Sequence, residues 1–391
     1  MNIKSLLLGS AAALVAVSGA RAADAVVVAE PEPAEYVRIC DVYGAGYFYI
    51  PGTETCLKIG GYVRYDASVG SQYNGYDGLW NLDKRKFADD TEKWQGTWNK
   101  TTKIVLNVDT GQETEYGTLA THIGIVAKNT TGYEADDDGD PTGLSTTTNS
   151  AGLDSAYIKL GGLMIAYRDS IYADWTGYAG AAVNNSFIEY GDAANTNQIS
   201  YTFDAGNGFS AIVGLEQGYS DTIDSYVPHV VLGAKFTQGW GGISGVVAYN
   251  SVQDEFAGKI RADVNVNDQL SLFVMGGIGS DKHRGTTDKD AYSYEYKPWM
   301  GSWAIWGGGS FKANEKATIY AEASYDADKD AAVSVGVAYE LVPGFTIQPE
   351  VNYTRYGEHT DYNYMGASPD SATKGPKKDG WGAVVRFQRN F

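Results

Sequence analysis

Residues 317–354 read ATIYAEASYDADKDAAVSVGVAYELVPGFTIQPEVNYT, and the period of that stretch decides the fold. Ala317, Ile319, Ala321, Ala323 and Tyr325 alternate with Thr318, Tyr320, Glu322 and Ser324. Val333, Val335, Val337 and Tyr339 then alternate with Ser334, Gly336, Ala338 and Glu340, and Phe345, Ile347, Val351 and Tyr353 with Thr346, Gln348, Glu350, Asn352 and Thr354. Successive side chains of a strand point to opposite faces, so a period of two marks strands that are apolar on one face and polar on the other. The connections at 327–328 and 342–343 leave room only for tight turns. Alternation alone fits a soluble sandwich as well as a barrel whose apolar face meets lipid.

The connections decide between them. Working outward, the pattern gives sixteen candidate strands at 57–69, 99–109, 114–127, 153–160, 162–168, 196–204, 208–218, 227–237, 240–251, 253–264, 268–280, 299–312, 315–326, 329–341, 344–356 and 380–391, with no convincing helical stripe. Long connections fall at 70–98, 128–152, 169–195, 281–298 and 357–379, a medium one at 219–226, and every one of them occupies an odd place in the series. Every even connection is short. Loops at one end and turns at the other describe a transmembrane antiparallel up-and-down β-barrel, all-β and sixteen-stranded; a Greek-key sandwich would carry long crossovers at both ends. Closure removes edges and satisfies the backbone, which hydrocarbon demands. An even strand count puts both termini on the turn side, the periplasmic side of an outer membrane. Trp240, Tyr249, Trp299, Trp303, Tyr325, Tyr339, Phe345, Tyr353 and Trp381 lie at strand ends, as interface girdles require. Aromatics are also good strand formers, which is the plainer explanation of the same residues.

Composition agrees once it is read by face. The chain has 391 residues, 48 of them Gly and 29 Tyr, with 10 Pro. A mean hydropathy of −0.29 is what an apolar and a polar set on the same strands average to. After the first twenty or so residues no run approaches the ~18 apolar residues of a membrane helix. The formal net charge of −18 excludes nucleic acid as a partner, because phosphate neutralisation needs a clustered basic face.

The chain begins with an export address. Lys4, the apolar run Leu6 to Val17 and the small residues Ala20 and Ala22 form a signal peptide over 1–22, with the mature chain starting at Ala23. Its removal takes away Lys4 and Arg21 and no acid, moving the net charge from −18 to −20. Residues 23–56 form a periplasmic N-terminal segment, acidic and extended from Asp24 to Glu35, and the barrel occupies 57–391. Cys40 and Cys56 are the only cysteines, and in an exported chain such a pair reads as a disulfide; two inert thiols are the alternative.

Three stretches resemble the porins of alphaproteobacteria: Tyr36 to Asp66 (YVRICDVYGAGYFYIPGTETCLKIGGYVRYD), Glu115 to Leu119 (EYGTL) and Trp381 to Phe391 (WGAVVRFQRNF). The resemblance runs over essentially the whole mature chain and is weakest in the loops. It implies a homotrimeric, water-filled outer-membrane channel for passive diffusion of small hydrophilic solutes and ions, whose third long loop folds inward to narrow the lumen. It also implies that Phe391 is the signal read by the barrel-insertion machinery. Outer-membrane lipid and lipopolysaccharide are the expected surroundings.

The parity of the strands suggests where selectivity resides. Arg64, Lys103 and Arg386 lie near the middle of the first, second and last strands, which become neighbours on closure, and all three share the polar face. Lys159, Lys259 and Arg261 face inward by the same reading, although Lys259 and Arg261 could instead pair locally with Asp263 or lie at the wrong depth. The connection 169–195 carries Asp169, Asp174, Glu189 and Asp192 and no Lys or Arg. If it folds inside, an acidic rim faces a basic wall, and solutes cross a transverse field. The plainer reading is that these charges solvate a polar lumen.

Other chemistry is weakly marked. The run Asp136-Asp137-Asp138-Gly139-Asp140 lacks the alternate spacing of a calcium loop, and His122, His229, His283 and His359 have no ligand spacing. No metal, cofactor or catalytic motif is expected. A substrate-specific channel, with Tyr172, Trp175 and Tyr178 guiding a sugar, is the alternative within the membrane class; a secreted glycan-binding or glycan-cleaving sandwich is the alternative outside it.

Overall fold

The computed structural model describes residues 38–70, 98–135, 141–178, 180–183, 188–191, 195–217, 226–280, 296–355, 357 and 379–391. A two-residue strand, β1 (Phe48–Tyr49), precedes sixteen barrel strands. They are β2 (Cys56–Gly70), β3 (Asn99–Thr114), β4 (Gly117–Ala135), β5 (Pro141–Leu160), β6 (Leu163–Asp169), β7 (Asn195–Asp204), β8 (Phe209–Glu216) and β9 (His229–Gln238). The ring continues with β10 (Gly241–Asn250), β11 (Glu255–Asn265), β12 (Leu270–Gly279), β13 (Trp303–Lys312), β14 (Ala317–Asp326), β15 (Ala331–Val342), β16 (Phe345–Arg355) and β17 (Asp379–Asn390). Each pairs antiparallel with the next, and β17 returns to β2, so the sheet closes.

The two faces differ as the period requires. On β2, Val63 and Tyr65 are 44% and 40% exposed while Asp66, the next residue along, is 0% exposed. Ile104 and Leu106, Ile123 and Ile125, Ile243 and Val247, Val333 and Val335 repeat the exposed apolar set around the ring. In water such a continuous apolar belt would drive aggregation; in hydrocarbon it is the matching surface. Paired rings sit at the strand ends, Trp303 with Tyr325 at 6.0 Å and Tyr353 with Trp381 at 4.7 Å. Trp299 departs from the girdle expectation: it is 1% exposed and packs edge-on against Trp306. Residues 296–302, expected in part as strand, precede β13 and fill a buried cluster instead.

A second departure is the connection expected at 128–152. The ladder continues through Thr131↔Thr147 to Tyr133↔Ser145, so the long loop is a hairpin of β4 and β5. β6 pairs with β5 only from Ala156 to Leu160, so the hairpin extends past its other neighbour. Thr is a good strand former, but strands polar on both faces carry no alternating apolar signal.

Cys40 and Cys56 form the expected disulfide, with Cα atoms 6.0 Å apart. It ties the N-terminal loop to the start of β2. Tyr43 lies against Gly111 on the polar face of β3 and donates to Glu113 Oε1 at 3.0 Å. Burial, and then this hydrogen bond, push the Tyr43 phenol up to about 12, so it stays a donor. The seam closes further along β2: Gly61 and Phe391 exchange two backbone hydrogen bonds of 3.0 Å. Gly61 has φ 154°, and a Cβ there would come within 2.1 Å of Val105 O, which only glycine avoids.

Candidate pore constriction

Register builds a basic row on one wall. Gln388 stands opposite Arg64, Arg64 opposite Lys103, and Lys103 opposite Lys128. Adjacent strands are ~4.8 Å apart, so three cationic side chains project from neighbouring positions. Arg64 Nε donates to Gln388 Oε1 at 2.9 Å, and its guanidinium lies 4.7 Å from the Tyr62 ring centre. Lys128 was not among the expected residues because position 128 read as the start of a loop. Continuing the outward set Ile123 and Ile125 would have placed it inside.

Arg386 lies one pair higher, opposite Asp66. It donates from Nε and Nη2 to the two carboxylate oxygens at 2.8 and 2.9 Å, a bidentate fork on a buried acid. The wall therefore carries a compensated Arg386 beside the Arg64 row. Arg64, Thr346, Gln348, Arg386 and Gln388 line a recess of about 250 Å³. Lys159 is elsewhere, one residue from the end of β5 at the turn beside Gly161.

The segment after β6 packs against several strands of the ring. Ser170 caps the short helix α1 (Ile171–Asp174), accepting from Tyr172 N at 3.1 Å. Its Oγ donates to Glu216 Oε2 at 2.8 Å, and Ile171 N and Tyr296 OH donate to the same carboxylate. Further along, Trp306 Nε1 donates to Ile188 O at 2.7 Å, Gln348 Nε2 to Ala181 O at 3.1 Å, and Val183 N to Glu350 Oε2 at 2.5 Å. Val183 packs on Val384 of β17. Ile171, Tyr172, Trp175, Ile188 and Tyr190 join Met275, Trp299 and Trp306 in the main buried cluster.

The expected acids are dispersed along this segment. Asp174 pairs with Arg168 at 2.5 Å, Asp169 accepts from Tyr178 OH, Glu189 is half-buried, and Asp192 lies outside the described residues. Lys259 and Arg261 do not join the basic row; both contact the segment, and Arg261 also pairs with Asp263 at 2.7 Å. Tyr172 is 0% and Trp175 9% exposed, so neither ring is displayed to a passing sugar. Burial pushes the Tyr172 phenol well up, keeping that ring neutral.

One further array joins three strands. His122 Nδ1 lies 2.6 Å from Asp109 Oδ1 and Nε2 2.9 Å from Ser155 Oγ, with the ring stacked on Tyr157. The order is that of a hydrolytic triad, but strand amides lie in the plane of the wall, at right angles to these side chains, and form no oxyanion hole. No cluster of three metal-ligating side chains occurs among the described residues; the run 136–140 lies outside them. No described helix is long and apolar enough to cross a membrane.

A closed sixteen-stranded barrel, apolar outward and lined with charge, is an outer-membrane channel. The family comparison makes this specific: the chain belongs to the porin subfamily, whose model matches residues 24–384. It is 46% identical to porin Omp2b of Brucella neotomae and 45% identical to porin Omp2a of Brucella melitensis, in both cases across 100% of both chains. Among solved structures, the outer-membrane channel DcaP of Acinetobacter baumannii superposes with a TM-score of 0.56 at 14% identity, covering 88% of this chain and 99% of that one. A Rhodopseudomonas blastica porin triple mutant gives 0.50 at 13%, covering 86% and 100%. The protein is a porin of the outer membrane, a channel for passive diffusion and not an enzyme.

Proposed function

We propose that small hydrophilic solutes and ions are sorted in this porin at one level of the lumen, where the basic wall of β2 to β4 faces an inward-folded segment 170–191. The observation that carries the reading is the reach of that segment. Its contacts run from Glu216 on β8 through Trp306 on β13 to Glu350 on β16 and Val384 on β17. A short segment that touches β8 and β17 of a closed ring runs along a chord of the interior, leaving the aqueous gap against β2 to β4. Arg64, Lys103 and Lys128 supply the cationic side, with the Arg386–Asp66 pair at its edge. Asp169, Asp174 and Glu189 supply the acidic side, so the field lies across the path. Lys159 acts at the turn-side mouth.

Residues 1–22 serve as the export signal, 23–56 as the periplasmic segment and 57–391 as the barrel. Both termini are periplasmic, the molecule is a homotrimer in outer-membrane lipid with lipopolysaccharide around its loops, and Phe391 is the insertion signal. The even strand number and the resemblance to alphaproteobacterial porins support this arrangement.

Reversal potentials in planar bilayers under a salt gradient test the charge assignment. Replacing Arg64, Lys103 and Lys128 by Ala raises the cation-to-anion permeability ratio several-fold; an unchanged ratio defeats the reading.

A further inference from the structure

Three cations on the inner faces of β9 and β11, the strands that flank β10, point at the segment and not at the gap. Lys235 Nζ lies 4.0 Å from the centre of the Trp175 ring. Arg261 donates from Nη1 to Tyr178 O and lies 4.4 Å from the Phe273 ring centre. Lys259 Nζ lies 4.4 Å from the Tyr172 ring and 5.5 Å from the Tyr190 ring.

Lys259 differs from its neighbours in being buried without an acceptor. It is 4% exposed, and its Nζ has no hydrogen-bond partner among the described residues. An ammonium withdrawn from water without an acceptor is costly, and the negative faces of two aromatic rings are what compensate it here. The rings come from opposite limbs of one segment, Tyr172 from the outgoing limb and Tyr190 from the returning one. The limbs meet at the ammonium: a Cβ on Gly191 would come within 3.2 Å of Ala173 Cα and 3.3 Å of Lys259 Nζ. Glycine at 191 is what lets the returning limb close on both.

We propose that Lys259 is the peg that fixes the width of the pore, pinning both limbs of segment 170–191 to β11 through Tyr172 and Tyr190. The proposal rests on the reading that this segment narrows the lumen. Lys259 is thus a positioning residue: it sets how wide and how steady the gap is, while the row of Arg64, Lys103 and Lys128 sets which charge passes. Sequence parity could show that Lys259 points inward, but not that a loop nearly seventy positions upstream wraps it.

Single-channel recording on the full chain separates the two claims. In an Ala181→Cys variant, a bulky thiol reagent should lower conductance; no effect would mean that the segment does not line the gap and would remove the basis of the proposal. With that block established, Lys259→Met should raise conductance and open-channel noise, and increase liposome uptake of a disaccharide relative to a pentose by about twofold or more. The reversal potential should stay as in the unaltered chain. Lys259→Arg, whose guanidinium also stacks on rings, should restore width and steadiness. If Lys259→Met yields no heat-modifiable barrel, Tyr190→Leu keeps the ammonium, removes one ring, and carries the same expectation. Unchanged conductance, noise and sugar uptake in these variants would overturn the peg. So would a shift in reversal potential without any change in width.

Discussion

At the scale of single residues, the Asp66–Arg386 fork sets the sign of one prediction. Asp66 is 1% and Arg386 14% exposed at the side chain, so the pair is a nearly buried ion pair beside an aqueous recess. Asp66→Asn keeps the shape and removes the compensating charge. Leaving a buried charge without its partner costs about 3 kcal/mol or more, part of which lumen water returns to Arg386. Bilayer reversal potentials should then move toward anions, opposite to the effect of removing Arg64, Lys103 and Lys128. An unchanged value would mean that Asp66 contributes nothing to the field, and a move toward cations would overturn the prediction. Strand parity placed Arg386 on the inner face but could not show its pairing, since its acid lies 320 positions away in the sequence.

At the scale of elements, legibility followed the physics of each segment. β14 to β16 were readable because each has one apolar and one polar face, and the structure keeps nearly the same bounds. The upper parts of β4 and β5 were not, because Thr147, Thr148 and Asn149 pair with Thr131, Thr130 and Asn129 in a ladder that is polar on both faces. Hydrophobic period is silent where no face is dry. The start of β13 was misjudged for the opposite reason: Trp299 and Met300 are apolar because residues 296–300 pack inside the lumen. The basic row was half legible, its Arg64 and Lys103 by parity and its Lys128 lost to the same loop assignment. The hairpin also carries a prediction. Replacing residues 132–146 by an Asn-Gly turn after the Thr131↔Thr147 pair should leave heat-modifiable migration and single-channel conductance unchanged, because the excised part lies beyond the β5–β6 ladder. Loss of the barrel would show that the hairpin is needed for closure.

At the scale of the whole molecule, stability is distributed around a ring and not concentrated in a core. The disulfide closes a short local loop, worth roughly 3 kcal/mol in the chain-entropy account, against sixteen ladders that share the backbone hydrogen bonds. Cys40→Ser with Cys56→Ser should therefore leave the barrel heat-modifiable on a gel. The detached loop would take Tyr43 away from Glu113, read as faster proteolysis between Asp41 and Thr55 with the remainder intact. Loss of heat-modifiability would assign the disulfide a global role.

The seam between β2 and β17 has a consequence for assembly. Arg64 and Gln388, bonded across it, are 324 positions apart, so its closure has the largest sequence separation and the slowest expected search of any pairing in the ring. Until it forms, two unpaired edges face outward, each a template for a second chain. A chain that stalls there is therefore both unfinished and sticky, and Gly61 lies at the end of that seam. Its missing Cβ admits Val105 O on one side while its amide and carbonyl take up Phe391 on the other. A side chain at position 61 would crowd Val105 O just where the two edges must meet, so whether the chain can end as one closed ring depends on a missing methyl group.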